Sequence, residues 1–233
     1  MKHDTSNNMS NFNLKSITPS GFFGNSVNNI VEVTDIITES EVEEILSFAR
    51  TNNVFDNTNT EYDEDGNLIY EASNWDNRVV SRPILEKYAP KVLTILEIVI
   101  LRMQKRIEEH FDSKVSPTGP CIVRWPVGAR QEPHADKEMH EGDYAGKPNA
   151  FPWYDIGTVF YLNDDYEGGE LYFPLQGIEF KPKPRAAYFF PGDKNYIHGV
   201  RPVTSGIRYT LPYFWTITEL TSKNYAVWEN HDN

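Results

Sequence analysis

Apolar positions repeat with two different periods along this chain, and the change comes near Val115. Before it, helical spacing prevails. In "TESEVEEILSFAR" Val42, Ile45, Leu46 and Ala49 recur at helical intervals, and Thr38 followed by Glu41 has the spacing of a capping box, so a helix is predicted there. The preceding "NIVEVTDII" alternates like a strand. A second helical region is predicted from about Pro83 to Phe111, with Ile95, Leu96, Val99, Met103 and Ile107 on one stripe. Pro90, which has no amide hydrogen to give a helix, interrupts or kinks it. The most apolar run, "VLTILEIVILRM", carries Glu97 and falls short of the roughly 20 apolar residues a spanning helix needs. It reads as a buried helix. "DEDGNLIYE" has a faint likeness to a calcium loop, but its oxygens do not follow the EF-hand order, and an Asp-Gly hairpin turn is predicted instead.

After Val115 the pattern shortens. "CIVRWP", "IGTVFYLN", "GELYFP", "GIEFKP", "RAAYFF", "YIHGVRPV" and "IRYTLPYFWTIT" are separated by Gly, Pro, Asn and Asp. Many short strands with turn residues between them predict an all-β barrel or sandwich. The expected architecture is mainly β with flanking helices, the N-terminal helices packed outside one face of the β core. Residues 1–29, rich in Asn and Ser, read as a flexible polar N-terminal tail in which "GFF" is an anchor, and residues 30–233 as a single domain.

Composition narrows the function classes. A formal charge of −12 over 233 residues argues against broad nucleic-acid binding, which needs clustered Lys and Arg. The single cysteine, Cys121, excludes an intrachain disulfide and a CxxC zinc knuckle. The polar N-terminus lacks the apolar stretch of a secretory leader, so a cytoplasmic location with no membrane association is expected. The sequence does not specify an oligomeric state.

The candidate chemistry begins in "EPHADKEMHEGD". His134 and Asp136 are separated by one residue, and in an extended chain such positions project to one face, so an imidazole nitrogen and a carboxylate oxygen converge. That pair suits iron, zinc or manganese and needs a third donor from elsewhere. His3 and His231 lie near the termini, His110 ends a helix, and His140 enters a Gly- and Pro-rich loop. His198, in a strand-like run after the turn "PGDKN", can reach His134 and Asp136 from across a barrel; the alternative is a hydrogen-bonded core histidine. Ten residues on, Arg208 sits in an aromatic strand, where a guanidinium needs an anionic partner. That partner is either a protein carboxylate or a bound one held in two-pronged fashion. Thr210 shares its face, and Tyr161 is a further contact.

"HAD", "EGGELYFP" and "PGDKNYIHGVRPVTSGIRYTLPYFW", in that order, resemble the iron(II)- and 2-oxoglutarate-dependent dioxygenases, in the prolyl 4-hydroxylase-like branch. The resemblance covers about residues 119–217 closely. It implies a double-stranded β-helix, a jelly-roll or cupin-like core, with His134, Asp136 and His198 as a two-His-one-carboxylate triad that leaves three positions open. It also implies that Arg208 binds the distal carboxylate of 2-oxoglutarate, assisted by Tyr161 and Thr210, with Trp125 lining the cosubstrate pocket. The cofactors implied are Fe(II), 2-oxoglutarate and O2, with ascorbate as an auxiliary reductant. The partner implied is a proline-containing peptide or protein. Three positions depart from the family's habit: Trp125 stands in place of a tyrosine, Tyr154 of a basic residue and Gly157 of a threonine. The alternatives are a 2-oxoglutarate oxygenase acting on a small molecule or another side chain, and a cupin-like metal enzyme that does without 2-oxoglutarate. The long insert between Asp136 and Asp155 reads either as a lid or as a tolerated surface loop; Trp75 and Arg78 read either as substrate contacts or, the preferred reading, with Trp75 as a bridging core residue.

Overall fold

The computed structural model describes residues 18–55, 61–62, 68–70, 75 and 77–220. Among the described residues the three α-helices all lie in the first half of the chain. Helix α1 (Glu39–Thr51) opens with the expected capping box: Glu41 donates its amide to the Thr38 hydroxyl, and its carboxylate accepts the Thr38 amide. Helix α2 (Arg82–Tyr88) and helix α3 (Pro90–Phe111) are separated at Ala89, with Pro90 in the first turn of α3, where a missing amide costs nothing.

The strands, in chain order, are β1 (Val31–Val33), β2 (Glu61–Tyr62), β3 (Leu68–Tyr70), β4 (Val79–Val80) and β5 (Ser113–Pro117). Then come β6 (Ile122–Trp125), β7 (Gln131–His134), β8 (Ile156–Tyr161), β9 (Tyr166–Gly168) and β10 (Leu171–Phe173). The last are β11 (Ile178–Phe180), β12 (Ala187–Pro191), β13 (His198–Val200), β14 (Val203–Gly206) and β15 (Arg208–Leu220). The larger sheet runs β1-β12-β8-β15-β6-β4, with β5 also on β15, and the smaller runs β11-β10-β13-β7. Together they form a double-stranded β-helix. β2 pairs with β3 where a hairpin is expected; its Asp-Gly turn lies outside the described residues, as do His3 and His231.

The long strand β15 shows how sequence makes the two faces. Tyr209, Leu211, Tyr213, Trp215 and Ile217 join one buried cluster with Val92, Leu96, Val99, Met103 and Ile107 of α3. Arg208, Thr210, Pro212 and Phe214 alternate with them and line a cavity on the other face. Strand β8 repeats the division, with Ile156 and Phe160 toward the helices and Gly157, Val159 and Tyr161 toward the cavity. Truncating a fully buried stripe residue such as Leu96 to Ala removes helix-to-sheet packing worth about 2–5 kcal/mol. The helices therefore serve as the outer support for the sheet that carries the cavity. Within the segment read as a tail, Thr18–Asn29 lies against the body: Thr18 is buried, and Phe23 packs on Phe111 with ring centroids 4.8 Å apart. Among the described residues no helix is long and apolar enough to cross a membrane.

Candidate metal centre

Strands β7 and β13 are neighbours in the smaller sheet, and their register sets His198 directly opposite His134. Opposed residues of an antiparallel pair project to one face, and the two imidazoles lie with centroids 4.4 Å apart. Asp136 follows two residues after His134, and its Oδ1 is 3.7 Å from Nε2 of each histidine. One donor atom from each residue can be chosen so that all lie within 4.8 Å of one another. Both rings are held from behind in the same way. Nδ1 of His134 donates to the Glu132 carbonyl at 2.9 Å, and Nδ1 of His198 to the Tyr196 carbonyl at 3.1 Å. Those bonds fix the tautomer and turn each Nε2 lone pair toward Asp136. Of the other described histidines, His140 lies against Glu141, and His110 packs edge-on against Phe111 and Phe189.

The opposite wall of the cavity is built by the larger sheet. Arg208 is the cross-strand partner of Trp125, and Thr210 of Tyr161, so all four side chains meet on one face. Nη2 of Arg208 donates to the Tyr161 hydroxyl at 3.1 Å, and the Trp125 indole N–H donates to the Thr210 hydroxyl at 3.0 Å. Each oxygen accepts, so each hydroxyl hydrogen is left to donate to something else. The guanidinium carbon lies 4.5 Å from the Trp125 ring centroid, and that of Arg78 lies 4.3 Å from the same ring. Arg208 is 1% exposed, yet among the described residues neither its Nε nor its Nη1 has a hydrogen-bond partner. Among those residues it forms no ion pair with a protein carboxylate, which favours a bound anion as its partner.

Both groups face one cavity of about 110 Å³. That far exceeds the roughly 10–15 Å³ one water needs, so the space fits a small organic molecule. Val159, Leu171, Phe190 and Val200 make its apolar wall, and Trp75, read from sequence as a core bridge, lines it while packing edge-on against Trp125 at 5.3 Å.

Residues 121–216 match the 2OG-Fe(II) oxygenase superfamily. This segment is a 2OG-Fe(II) oxygenase domain. Prolyl 3-hydroxylase 1 of Gallus gallus is 36% identical to this chain over 77 residues, 30% of this chain and 10% of that protein. Prolyl 3-hydroxylase 2 of Homo sapiens is 35% identical over 80 residues, 32% of this chain and 11% of that protein. The matched region thus spans about a tenth of the length of those relatives. A viral collagen prolyl hydroxylase from Paramecium bursaria Chlorella virus-1, in its 2OG complex, superposes with a TM-score of 0.55 at 15% identity, covering 83% of this chain and 97% of that one. A prolyl hydroxylase of Trichoplax adhaerens, in complex with a hypoxia inducible factor peptide fragment, gives 0.52 at 18% identity, covering 86% and 87%. At such identities the structural likeness establishes the fold.

The domain's own residues fit the groups that the family implies, Fe(II), 2-oxoglutarate and O2. Asp136 is buried, and among the described residues its Oδ2 has no hydrogen-bond partner, a costly state for a carboxylate unless a cation compensates it. Burial pushes its carboxyl up to about 8, and burial likewise moves both His134 and His198 below the usual imidazole value, His198 well below. At neutral pH the metal-free site therefore holds neutral imidazoles and a protonated carboxyl. The sign of the coupling follows. Because the Asp136 value is raised, the folded chain binds that proton more tightly than the unfolded one. Its contribution to stability is full below about 3.8, where the unfolded carboxyl titrates, and is lost as pH rises to about 8. A bound cation reverses the preference by expelling the proton. Mn(II) binding at pH 7 is expected to release close to one proton, and above pH 8 progressively less. Calorimetry in two buffers of different ionisation enthalpy measures this, and a buffer-independent heat at pH 7 contradicts it.

Gly157 explains how the carboxylate reaches its position. A Cβ there would collide with Asp136 Oδ2 and stand 3.0 Å from the Phe190 ring. The backbone at Gly157 is regular strand, so alanine adds atoms without adding strain. Gly157→Ala is expected to weaken Mn(II) binding by about 10–100-fold with an unchanged circular-dichroism spectrum. Unaltered affinity contradicts the steric account.

Proposed function

We propose that this protein is an Fe(II)- and 2-oxoglutarate-dependent dioxygenase that hydroxylates a proline residue in a peptide or protein. The observation that carries the reading is the fully buried Arg208 guanidinium, facing across one cavity toward the paired imidazoles and carboxylate. A cupin-like metal enzyme without 2-oxoglutarate has no use for that charge. The relatives named as prolyl hydroxylases support the proline substrate.

In this reading His134, His198 and Asp136 would hold ferrous iron, and the cavity beside them would receive 2-oxoglutarate and dioxygen. Iron so held supplies the redox chemistry by which one oxygen atom enters succinate as CO2 leaves and the other enters the substrate C–H bond. Arg208 pairs with the distal carboxylate in two-pronged fashion, and the Thr210 and Tyr161 hydroxyls donate to the same group. Trp125 holds Thr210 by its indole N–H and places its ring 4.5 Å from the Arg208 guanidinium carbon. Val159, Leu171 and Phe190 exclude water around the cosubstrate, which strengthens the ionic contact.

The test is turnover with Fe(II), 2-oxoglutarate and ascorbate against proline-containing peptides, free amino acids and nucleobases. The expected result is a gain of one oxygen on peptidyl proline with an equal yield of succinate, and fragmentation of the product assigns the ring position. Oxygen gained by a free amino acid or nucleobase, with none by any peptide, overturns the substrate assignment.

A further inference from the structure

Lys137, the residue after Asp136, and Asp155 mark the two ends of the long insert, and both are buried, Lys137 at 6% and Asp155 at 0% exposed. We propose that Lys137, Asp155 and Thr18 form a clamp that positions Asp136 as a metal ligand and couples the N-terminal segment to that centre; this rests on the metal-centre reading above.

Nζ of Lys137 lies 2.7 Å from Asp155 Oδ1 and donates to the carbonyl and hydroxyl of Thr18 at 2.8 and 2.9 Å. The Thr18 hydroxyl in turn donates to Asp155 Oδ1 at 2.6 Å, and the Ile217 amide donates to Asp155 Oδ2 at 2.9 Å. The same residues are joined a second time through the main chain. The amides of Asp136 and Lys137 both donate to the Gly192 carbonyl, at 2.9 and 3.0 Å, while the Gly192 amide donates to the Asp155 carbonyl at 2.8 Å. The Asp136 carbonyl accepts the Asn149 side-chain amide at 3.0 Å. The peptide groups on both sides of Asp136 are therefore bonded, and the lysine side chain beside it is anchored to the start of β8. A Cβ at Gly192 would stand 3.0 Å from Asp136 Cβ and would collide with the Tyr154 carbonyl, so this approach also depends on a glycine.

A buried ion pair is a poor source of net stability, because desolvating both charges offsets their attraction. What it does impose is direction. An ammonium tied to a carboxylate and to a residue 119 positions earlier in the chain restrains where Asp136 sits relative to β7 and β13. It also closes the insert at its base, and within the insert Met139 and Lys147 are joined by an amide-to-carbonyl bond of 2.9 Å. The insert is thus a bonded loop held at its neck, with Tyr144 and Phe151 exposed.

The test uses the full chain and Mn(II) alone, its affinity read by electron paramagnetic resonance and the melting temperature by calorimetry. Lys137→Met strands a buried carboxylate, so both affinity and melting temperature are expected to fall. The charge-neutral double variant K137M/D155N is expected to recover most of the melting temperature while its Mn(II) dissociation constant stays raised by about 10–100-fold. Thr18→Val, which keeps the side chain's shape, is expected to raise that constant roughly two- to tenfold, the range one buried hydrogen bond commands. Mn(II) binding by K137M/D155N within twofold of the parent makes the clamp merely structural and overturns the proposal. If the double variant does not fold, an unchanged constant in Thr18→Val overturns it equally. Failure of the parent chain to bind Mn(II) instead removes the metal-centre reading, and the clamp with it.

Discussion

Replacing His198 with alanine is expected to abolish 2-oxoglutarate turnover while the chain keeps its fold, and Asp136→Ala is expected to do the same. Each loses one of three donors, and two ligands seldom hold a catalytic ion. The fold survives for different reasons in the two cases. His198 hangs from the end of a strand whose main-chain pairing with β7 and β10 does not use the ring. Asp136 contributes a buried carboxyl that, among the described residues, makes no hydrogen bond through Oδ2, so its removal relieves a desolvated group. Melting temperatures within a few degrees of the parent, together with loss of both Mn(II) binding and succinate production, are the outcome expected. Near-normal turnover in either variant sinks the triad assignment.

The second large effect concerns Arg208. In the absence of an anion its charge sits 1% exposed between the Trp125 and Tyr161 rings, with hydrogen-bonding groups unused among the described residues. The cation–π contacts offset part of that cost and not all of it. Arg208→Met therefore carries an unusual pair of expectations: the ligand-free protein is at least as stable as the parent, and 2-oxoglutarate binding collapses. Removing one partner of a desolvated ion pair costs about 3–5 kcal/mol, which corresponds to roughly a hundred- to several-thousand-fold in the apparent affinity. The parent's melting temperature should rise with added 2-oxoglutarate and Mn(II), and that of Arg208→Met should not move with 2-oxoglutarate. An unchanged Michaelis constant for 2-oxoglutarate contradicts the assignment.

Much of this site was legible in the sequence because it is built from regular elements. Strands β8 and β15 carry clean alternation, so the facing of Arg208, Thr210 and Tyr161 follows from counting by twos, and the apolar stripe of α3 from counting by threes and fours. His134 and Asp136 announce themselves by spacing, and His198 by its strand. What could not be read is polar and distant. The strand β7 has the sequence "QEPH", with no alternation and a proline, and it is visible only once β13 lies beside it. The Lys137–Asp155–Thr18 contacts span 137 positions between Thr18 and Asp155 and leave no periodic trace. Gly157 stood out in the sequence as a departure from the family's habit, but the reason, the room it leaves for Asp136 Oδ2, is a matter of three-dimensional clearance. Trp75 follows the same rule: its neighbours in sequence are polar, and its place at the cavity wall comes from packing on Trp125.

The most direct test of the central claim is an anaerobic titration of the Fe(II)-loaded chain with 2-oxoglutarate, read by the visible charge-transfer absorption that a 2-oxo acid chelated to ferrous iron produces. The parent is expected to develop the band, His198→Ala to lack it at any concentration, and Arg208→Met to need far more 2-oxoglutarate for the same amplitude. A parent that shows no band, or an Arg208→Met variant that saturates at the parent's concentration, contradicts the account.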